Sequence, residues 1–267
     1  MVLQVTHERD TQPVGNNAWY LHHTARLARE LTPDALDGGA RAAEQDLDFV
    51  LARIPLEPRS RILEIGCGWG RHTLALRARG FTNLVSIDIS PAMLALARER
   101  ATAAGHDADI RQLDFLDIAG EPPFGALLSL YDRSCLGFPS EEEDRRSLVR
   151  LRAILTPGGH LLFGTGDWPV QLPAPRRDWR EWDGVVELLE TVPNATAMTC
   201  TDRTTVLRDG ARRVYELTRR HYSLPEVRRL LAEGGFALRG AWHALDERRP
   251  YGGESEGLFV LAQKEGP

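Results

Sequence analysis

Strand and helix signals alternate along this chain in the manner of an α/β fold built on a parallel sheet. The first sign is the stretch RILEIGCGWGR at 61–71, where an alternating strand run meets Gly66, Gly68 and Gly70. A helix follows at 72–79, with Leu74, Ala75 and Ala78 on its apolar face. Strand, glycine turn and helix open a nucleotide-type α/β unit. The second sign is that later strand runs end on acids, Asp88 and Asp114, at the sheet edge where such folds take ligands. Glycine suits the turn because the backbone bends sharply and a ligand can approach without meeting a Cβ. The helix start then offers unpaired N–H groups to an anion.

Ahead of the turn, residues 1–55 read as a helical leader. Asn16 or Asn17 caps a helix that runs to Glu30 and is ended by Thr32-Pro33-Asp34. A second helix is expected from 39 or 40 to 53, with Ala43, Leu47, Val50 and Leu51 inward. The core continues as strand 61–65, helix 71–79, strand 83–87, helix 91–104, strand 108–113, strand 125–130, helix 140–155 and strand 159–164. Ser90-Pro91 marks a helix start, and Gly80 and Gly105 close helices. Glu141, Glu142, Glu143 and Asp144 place acid in a first turn, which suits the helix dipole. Pro169, Pro173 and Pro175 make the next segment irregular. Strands are expected at 185–189, 199–207 and 213–222, the last two joined by a hairpin at Arg208-Asp209-Gly210. This 165–222 segment reads as a small antiparallel insertion that either walls a substrate site or mediates dimerisation. Ser223 and Glu226 form a capping box for a further helix, and strands 236–243 and 257–262 finish the chain.

Composition narrows the function classes. With 267 residues, 42% of them hydrophobic, the chain can bury one substantial core. A net charge of −5 gives no nucleic-acid footprint. The arginines at 145, 146, 150 and 152 read as a solvated helix face balanced by the acids before them. Lys264 is the only lysine, which removes a P-loop, a Schiff base and a Tyr-Lys dehydrogenase pair, and which points to a GC-rich genome. Cys67, Cys135 and Cys200 are odd in number and widely spaced, so neither a disulfide framework nor a metal site is expected. No signal peptide or apolar span is read, and the expected setting is cytoplasmic, without a membrane partner.

The motifs taken together resemble those of class I S-adenosylmethionine (SAM) dependent methyltransferases. They are E-x-G-x-G-x-G at 64–70, the acid of IDISPAML at Asp88, QLDFLDI around Asp114, and LTPGGHLLF at 155–163, in the family's order. A dinucleotide fingerprint would need G-x-G-x-x-G, whereas Arg71 stands at the third position here. The resemblance implies a Rossmann-like fold with a seven-stranded, mostly parallel sheet. It divides the chain into an N-terminal cap (1–55), a SAM-binding core (56–164), the β insertion (165–222) and a C-terminal completion of the core (223–267).

The resemblance also implies roles. Glu64, Gly66, Cys67, Gly68 and Gly70 shape the pocket around the methionyl and ribose parts, and Asp88 accepts both ribose hydroxyls. Ile89 and Met93 pack on adenine, Asp114 accepts from its amine, and Phe115 donates a backbone N–H to the ring. Leu130 offers its carbonyl to the SAM ammonium. Leading helices in this family lie over the pocket, which places Tyr20 with the cofactor and Trp19, Arg133 and Phe138 with the acceptor; simple packing is the alternative for Trp19 and Tyr20. Arg71 and His72 read as helix-surface residues, with the methionyl carboxylate as an alternative partner. Tyr131 faces the sulfonium region. Asp132 either pairs with Arg133 or acts as the base, and His22 joins Asp132 and Tyr131 as a candidate catalytic group; His23, His221 and His243 are further candidate bases.

The expected activity is methyl transfer from SAM to an oxygen or nitrogen of a small molecule, releasing S-adenosylhomocysteine, in bacterial specialised metabolism such as antibiotic biosynthesis. A non-catalytic SAM-binding scaffold and a thiopurine-like S-methyltransferase are the alternatives. Homodimerisation is left open by the insertion.

Overall fold

The computed structural model describes residues 16–131, 135–165, 175–246 and 257–266. The glycine-turn strand β1 (Ile62–Ile65) pairs in parallel with β2 (Leu84–Asp88) on one side and β4 (Phe124–Ser129) on the other. β3 (Asp109–Gln112) extends the sheet beyond β2, and β5 (Leu155–Thr165) extends it beyond β4, both in parallel. β11 (Leu258–Lys264) and β10 (Phe236–Trp242) complete it in antiparallel fashion, giving the seven-stranded order β10-β11-β5-β4-β1-β2-β3. Every residue of β1 and β2 is buried, as expected for strands covered on both faces. The chain order reverses between β1 and β4, so the connections leave in opposite directions and a crevice opens at the strands' carboxyl ends.

The flanking helices are α3 (Arg71–Ala78), α4 (Pro91–Ala103), α5 (Glu141–Ile154) and α6 (Leu224–Glu233). Their starts are built locally. Ser90 accepts from the Met93 N–H, and Ser140 with Glu143 and Ser223 with Glu226 close reciprocal capping boxes. On α3 the buried residues are His72, Thr73, Ala75 and Leu76, while Ala78 is exposed, so the inward face is rotated from the expected one.

Two leading helices cover the carboxyl edge: α1 (Asn16–Glu30) and α2 (Pro33–Leu51). The second begins six residues before the expected Gly39. Thr32 accepts from the Ala35 N–H at 3.3 Å and Pro33 occupies the first helical turn, so the Thr-Pro-Asp run starts α2 as well as ending α1. Gly39 sits inside this helix for a steric reason, since a Cβ there would lie 2.7 Å from the Trp69 ring.

A separate four-stranded antiparallel sheet runs in the order β6 (Arg176–Trp182), β7 (Val185–Asn194), β8 (Thr199–Arg208), β9 (Ala211–Arg220). β6 is an addition to the sequence reading. It is an edge strand of alternating charge, RRDWREW, a pattern that blunts edges and hides the strand signal. α1 is held between this sheet and α4. Among the described residues, no helix is long and apolar enough to cross a membrane.

Candidate active site

At the crevice lies a cavity of about 620 Å³, floored by the glycine turn and bounded by the ends of β2, β3 and β4, by α1, by Gly137 and Phe138, and by β9. Gly66, Gly68 and Gly70 all take positive φ (70°, 54° and 80°), which explains why glycine is needed at each. The three have different surroundings. A Cβ on Gly68 would meet nothing within 4 Å, leaving an open approach, whereas one on Gly70 would crowd Ala97 at 3.1 Å.

Asp88, 3% exposed, ends β2. Its carboxylate accepts from the Gly68 N–H and the Ser90 N–H, each at 2.8 Å, and from the Tyr20 hydroxyl at 3.2 and 3.4 Å. Burial pushes its pKa up while those hydrogen bonds hold it down. Asp114 follows β3 and caps a single 3₁₀ turn (Phe115–Asp117), accepting from the Leu116 N–H at 3.0 Å. Ile89, Met93, Cys67, Phe115 and Leu130 line the same cavity. Burial raises the Cys67 thiol well above its ordinary range, which leaves it inert.

Tyr131, just after β4, has φ 72°, a left-handed conformation that costs a non-glycine residue roughly 1–3 kcal/mol. Its hydroxyl donates to Asp46 at 2.9 Å, the Arg71 guanidinium lies 4.5 Å from its ring centroid, and the His72 ring lies parallel at 6.0 Å. Burial and the Asp46 charge push the Tyr131 phenol up, so it keeps its proton at neutral pH and is a donor rather than a base.

On α1, Trp19 stacks on His23 with centroids 4.9 Å apart and donates to Thr204 at 3.2 Å, while Tyr20 reaches Asp88. Burial and the neighbouring Arg26 lower the pKa of His23, so its imidazole is neutral at pH 7.

Three expectations are corrected by these positions. Glu64 does not line the cavity; it is 3% exposed beneath the glycine turn, where the Thr73 hydroxyl (2.5 Å) and Ser86 hydroxyl (3.1 Å) donate to it. Its distance from the cavity follows from strand alternation, which sends its side chain toward α3. His22 faces away from the cavity, because a helical step of 100° separates it from His23. It bonds Glu187 at 2.7 Å and stacks on Tyr215. His72 is likewise buried at 4%, against the helix-surface reading. Asp132 and Arg133 lie outside the described residues. Trp19 and Phe138 line the cavity.

Sequence reasoning missed Asp46, Leu217 and Arg219, whereas His23, a candidate base from the chain, does line the cavity. Asp46 had a readable signal, an acid on the apolar stripe of Ala43, Leu47 and Val50. Leu217 and Arg219 had none, since their strand reaches the cavity through packing on α1 and through the Arg220 N–H on the Gly137 and Phe138 carbonyls.

Comparison with known proteins agrees with this geometry. Residues 62–159 match the methyltransferase domain family. A ubiquinone biosynthesis O-methyltransferase of Xanthomonas campestris pv. campestris (strain B100) is 31% identical over 122 residues, covering 45% of this chain and 48% of that protein. The chain thus spans about half the length of the curated relatives it matches. Two solved structures share the fold. One is an S-adenosylmethionine-dependent methyltransferase from Clostridium acetobutylicum ATCC 824, with a TM-score of 0.69 at 17% identity over 94% of this chain and 99% of that one. The other is the CcbJ methyltransferase from Streptomyces caelestis, with a TM-score of 0.69 at 22% identity over 91% and 96%.

Proposed function

We propose that this chain, a class I SAM-dependent methyltransferase by its 62–159 domain and its sheet topology, methylates an oxygen or nitrogen of a small molecule and releases S-adenosylhomocysteine. The observation that carries the reading is one cavity holding, on successive strand ends, Asp114, Asp88 and an open glycine turn.

The residues present fit SAM. Asp88 is suited to the ribose diol, whose hydroxyls would take over the long bonds now made by the Tyr20 hydroxyl. Asp114 and the Phe115 N–H suit the adenine edge, with Ile89 and Met93 against its face. The start of α3 together with Arg71 suits the methionyl carboxylate, and the Leu130 carbonyl suits the ammonium. When bound, SAM supplies a methyl already activated on sulfonium. The protein's task is then to align an acceptor and exclude water.

Trp19, His23, Phe138, Leu217 and Arg219 bound the remaining space and would hold the acceptor, with α1 as its roof. His23, with its pKa lowered, is one candidate to take the acceptor's proton, although Arg26 lies 3.4 Å from its Nδ1; Asp132 keeps the role of candidate base read from the chain. The arginine-for-lysine bias is in keeping with an origin in a GC-rich bacterium, and specialised metabolism is the setting read from the chain.

Calorimetric titration with SAM, S-adenosylhomocysteine and NADPH tests the reading. Binding of both sulfur ligands alone is expected, and Asp88→Ala should weaken it about a hundredfold or more, since a buried polar contact to each hydroxyl is lost. Binding of NADPH alone would overturn the assignment.

A further inference from the structure

The cavity wall made by Arg71, His72 and Tyr131 rests on a carboxylate that stands behind it. Asp46 comes from the middle of α2, is 6% exposed, and interrupts an otherwise apolar buried stripe. One of its oxygens accepts from His72 Nε2 at 2.9 Å, and the other accepts from the Tyr131 hydroxyl at 2.9 Å. The two donors belong to different elements, the first turn of α3 and the end of β4. With Nε2 donating to Asp46, the imidazole turns Nδ1 toward Glu64 Oε1, 3.8 Å away. Glu64 is itself fixed by Thr73 and Ser86. A buried carboxylate is unfavourable unless both oxygens find donors, and an apolar residue would serve the α2 stripe at least as well for packing alone. Here both donors face the cavity.

We propose that Asp46 is a positioning residue for the amino-acid end of the cofactor. It sets the tautomer of His72 and the direction of the Tyr131 phenol, and through the Tyr131 ring it seats the Arg71 guanidinium. The inference rests on the SAM reading above. Strand order supplies the location: Asp114 and Asp88, at the ends of β3 and β2, suit the nucleoside, so the rest of the ligand crosses the glycine turn toward β4, where this wall stands.

The test uses Asp46→Asn, which keeps the shape. Its carbonyl still accepts from Tyr131, while its NH₂ meets His72 Nε2 and forces the ring proton to Nδ1. Wild type and variant are titrated with S-adenosylhomocysteine and with 5′-methylthioadenosine, which lacks the amino-acid end. Nitrogen NMR shifts of His72, assigned with His72→Asn, report the tautomer without any ligand. The expected result is an S-adenosylhomocysteine affinity about tenfold weaker, a methylthioadenosine affinity within about twofold, and a His72 switched from the Nε2–H to the Nδ1–H form. Asp48→Asn, an exposed neighbour on α2 that pairs with Arg79, should change neither. Equal affinities for S-adenosylhomocysteine, equal losses for both ligands, or unchanged His72 shifts would each overturn the proposal. Failure of the wild type to bind S-adenosylhomocysteine would instead remove the SAM reading, while the ligand-free shifts would still report the coupling of Asp46 to His72.

Discussion

At the scale of single residues, Asp144 shows how a buried acid can hold a loop. It lies on α5, has no solvent exposure, and accepts from the N–H groups of Gly137 (2.7 Å) and Phe138 (3.1 Å) and from the Tyr222 hydroxyl (2.6 Å). These bonds fix the cavity edge formed by Gly137 and Phe138. Burial outweighs the hydrogen bonds and raises its pKa from 3.8 to about 6. The folded state therefore holds a proton that the unfolded chain has released between those values. Its contribution to stability is fully present below pH 3.8 and is lost as pH rises through about 6. The unfolding free energy of wild type minus that of Asp144→Asn should fall by about 3 kcal/mol across this window, read from urea melts at each pH. A flat difference would show that Asp144 is ionised throughout.

At the scale of elements, α1 is the part on which the cavity depends. Its inner side reaches the core through Tyr20 on Asp88 and Thr24 on Ser90, the latter at 2.8 Å. Its outer side reaches the second sheet through Trp19 on Thr204 and His22 on Glu187. Glu187 has no exposed surface and also takes Arg180 at 2.5 Å, with Arg26 at 4.0 Å. The pairs with His22 and Arg180 keep its pKa low against the opposing effect of burial. Removing one member of a buried charge set strands the others, so Glu187→Ala should cost about 2–3 kcal/mol, discounted for the partly exposed Arg180. Hydrogen exchange should then accelerate along α1 while the α4 amides keep their protection. Equal protection on α1 would mean that the core contacts alone secure it.

At the scale of the whole molecule, the second sheet has one face against α1 and one turned outward. Glu187 and Thr204 mark the α1 face; by strand alternation and register, Trp179, Leu188, Val192 and Leu207 share the other. They are 64%, 41%, 48% and 38% exposed. Trp179, Leu188 and Leu207 are neighbours there, while Val192 lies beyond the ion-paired row Arg177, Glu190, Arg203 and Glu216; we propose a second copy of the chain as the partner for this face. Sedimentation at about 10–100 µM, the range in which a weak dimer forms, should show a dimer that Trp179→Glu with Leu188→Glu converts to monomer. A wild-type monomer throughout that range would remove the proposal.

The order of elements and the ligand-binding edge were legible in the chain because both are local. Gly66, Gly68 and Gly70 announce a turn by backbone freedom alone, and Ser90-Pro91 and Ser223 with Glu226 announce helix starts within four residues. Asp88 and Asp114 could be placed because one ends its strand and the other stands two residues past the end of its own. Thr32-Pro33 was ambiguous since the same residues stop one helix and start another, and the charged edge strand β6 carries no apolar alternation to read. What the chain could not give was which side chains meet. His22 and His23 are neighbours in sequence, yet their helix turns one to Glu187 and the other into the cavity. Asp46, His72 and Tyr131 come from three elements up to 85 residues apart and meet only when α2 closes over the sheet edge. Local motifs are set by backbone sterics and hydrogen bonds within a few residues, so they survive in sequence. The cavity wall is set by packing between distant elements, and its hydrogen bonds exist only once the molecule has folded.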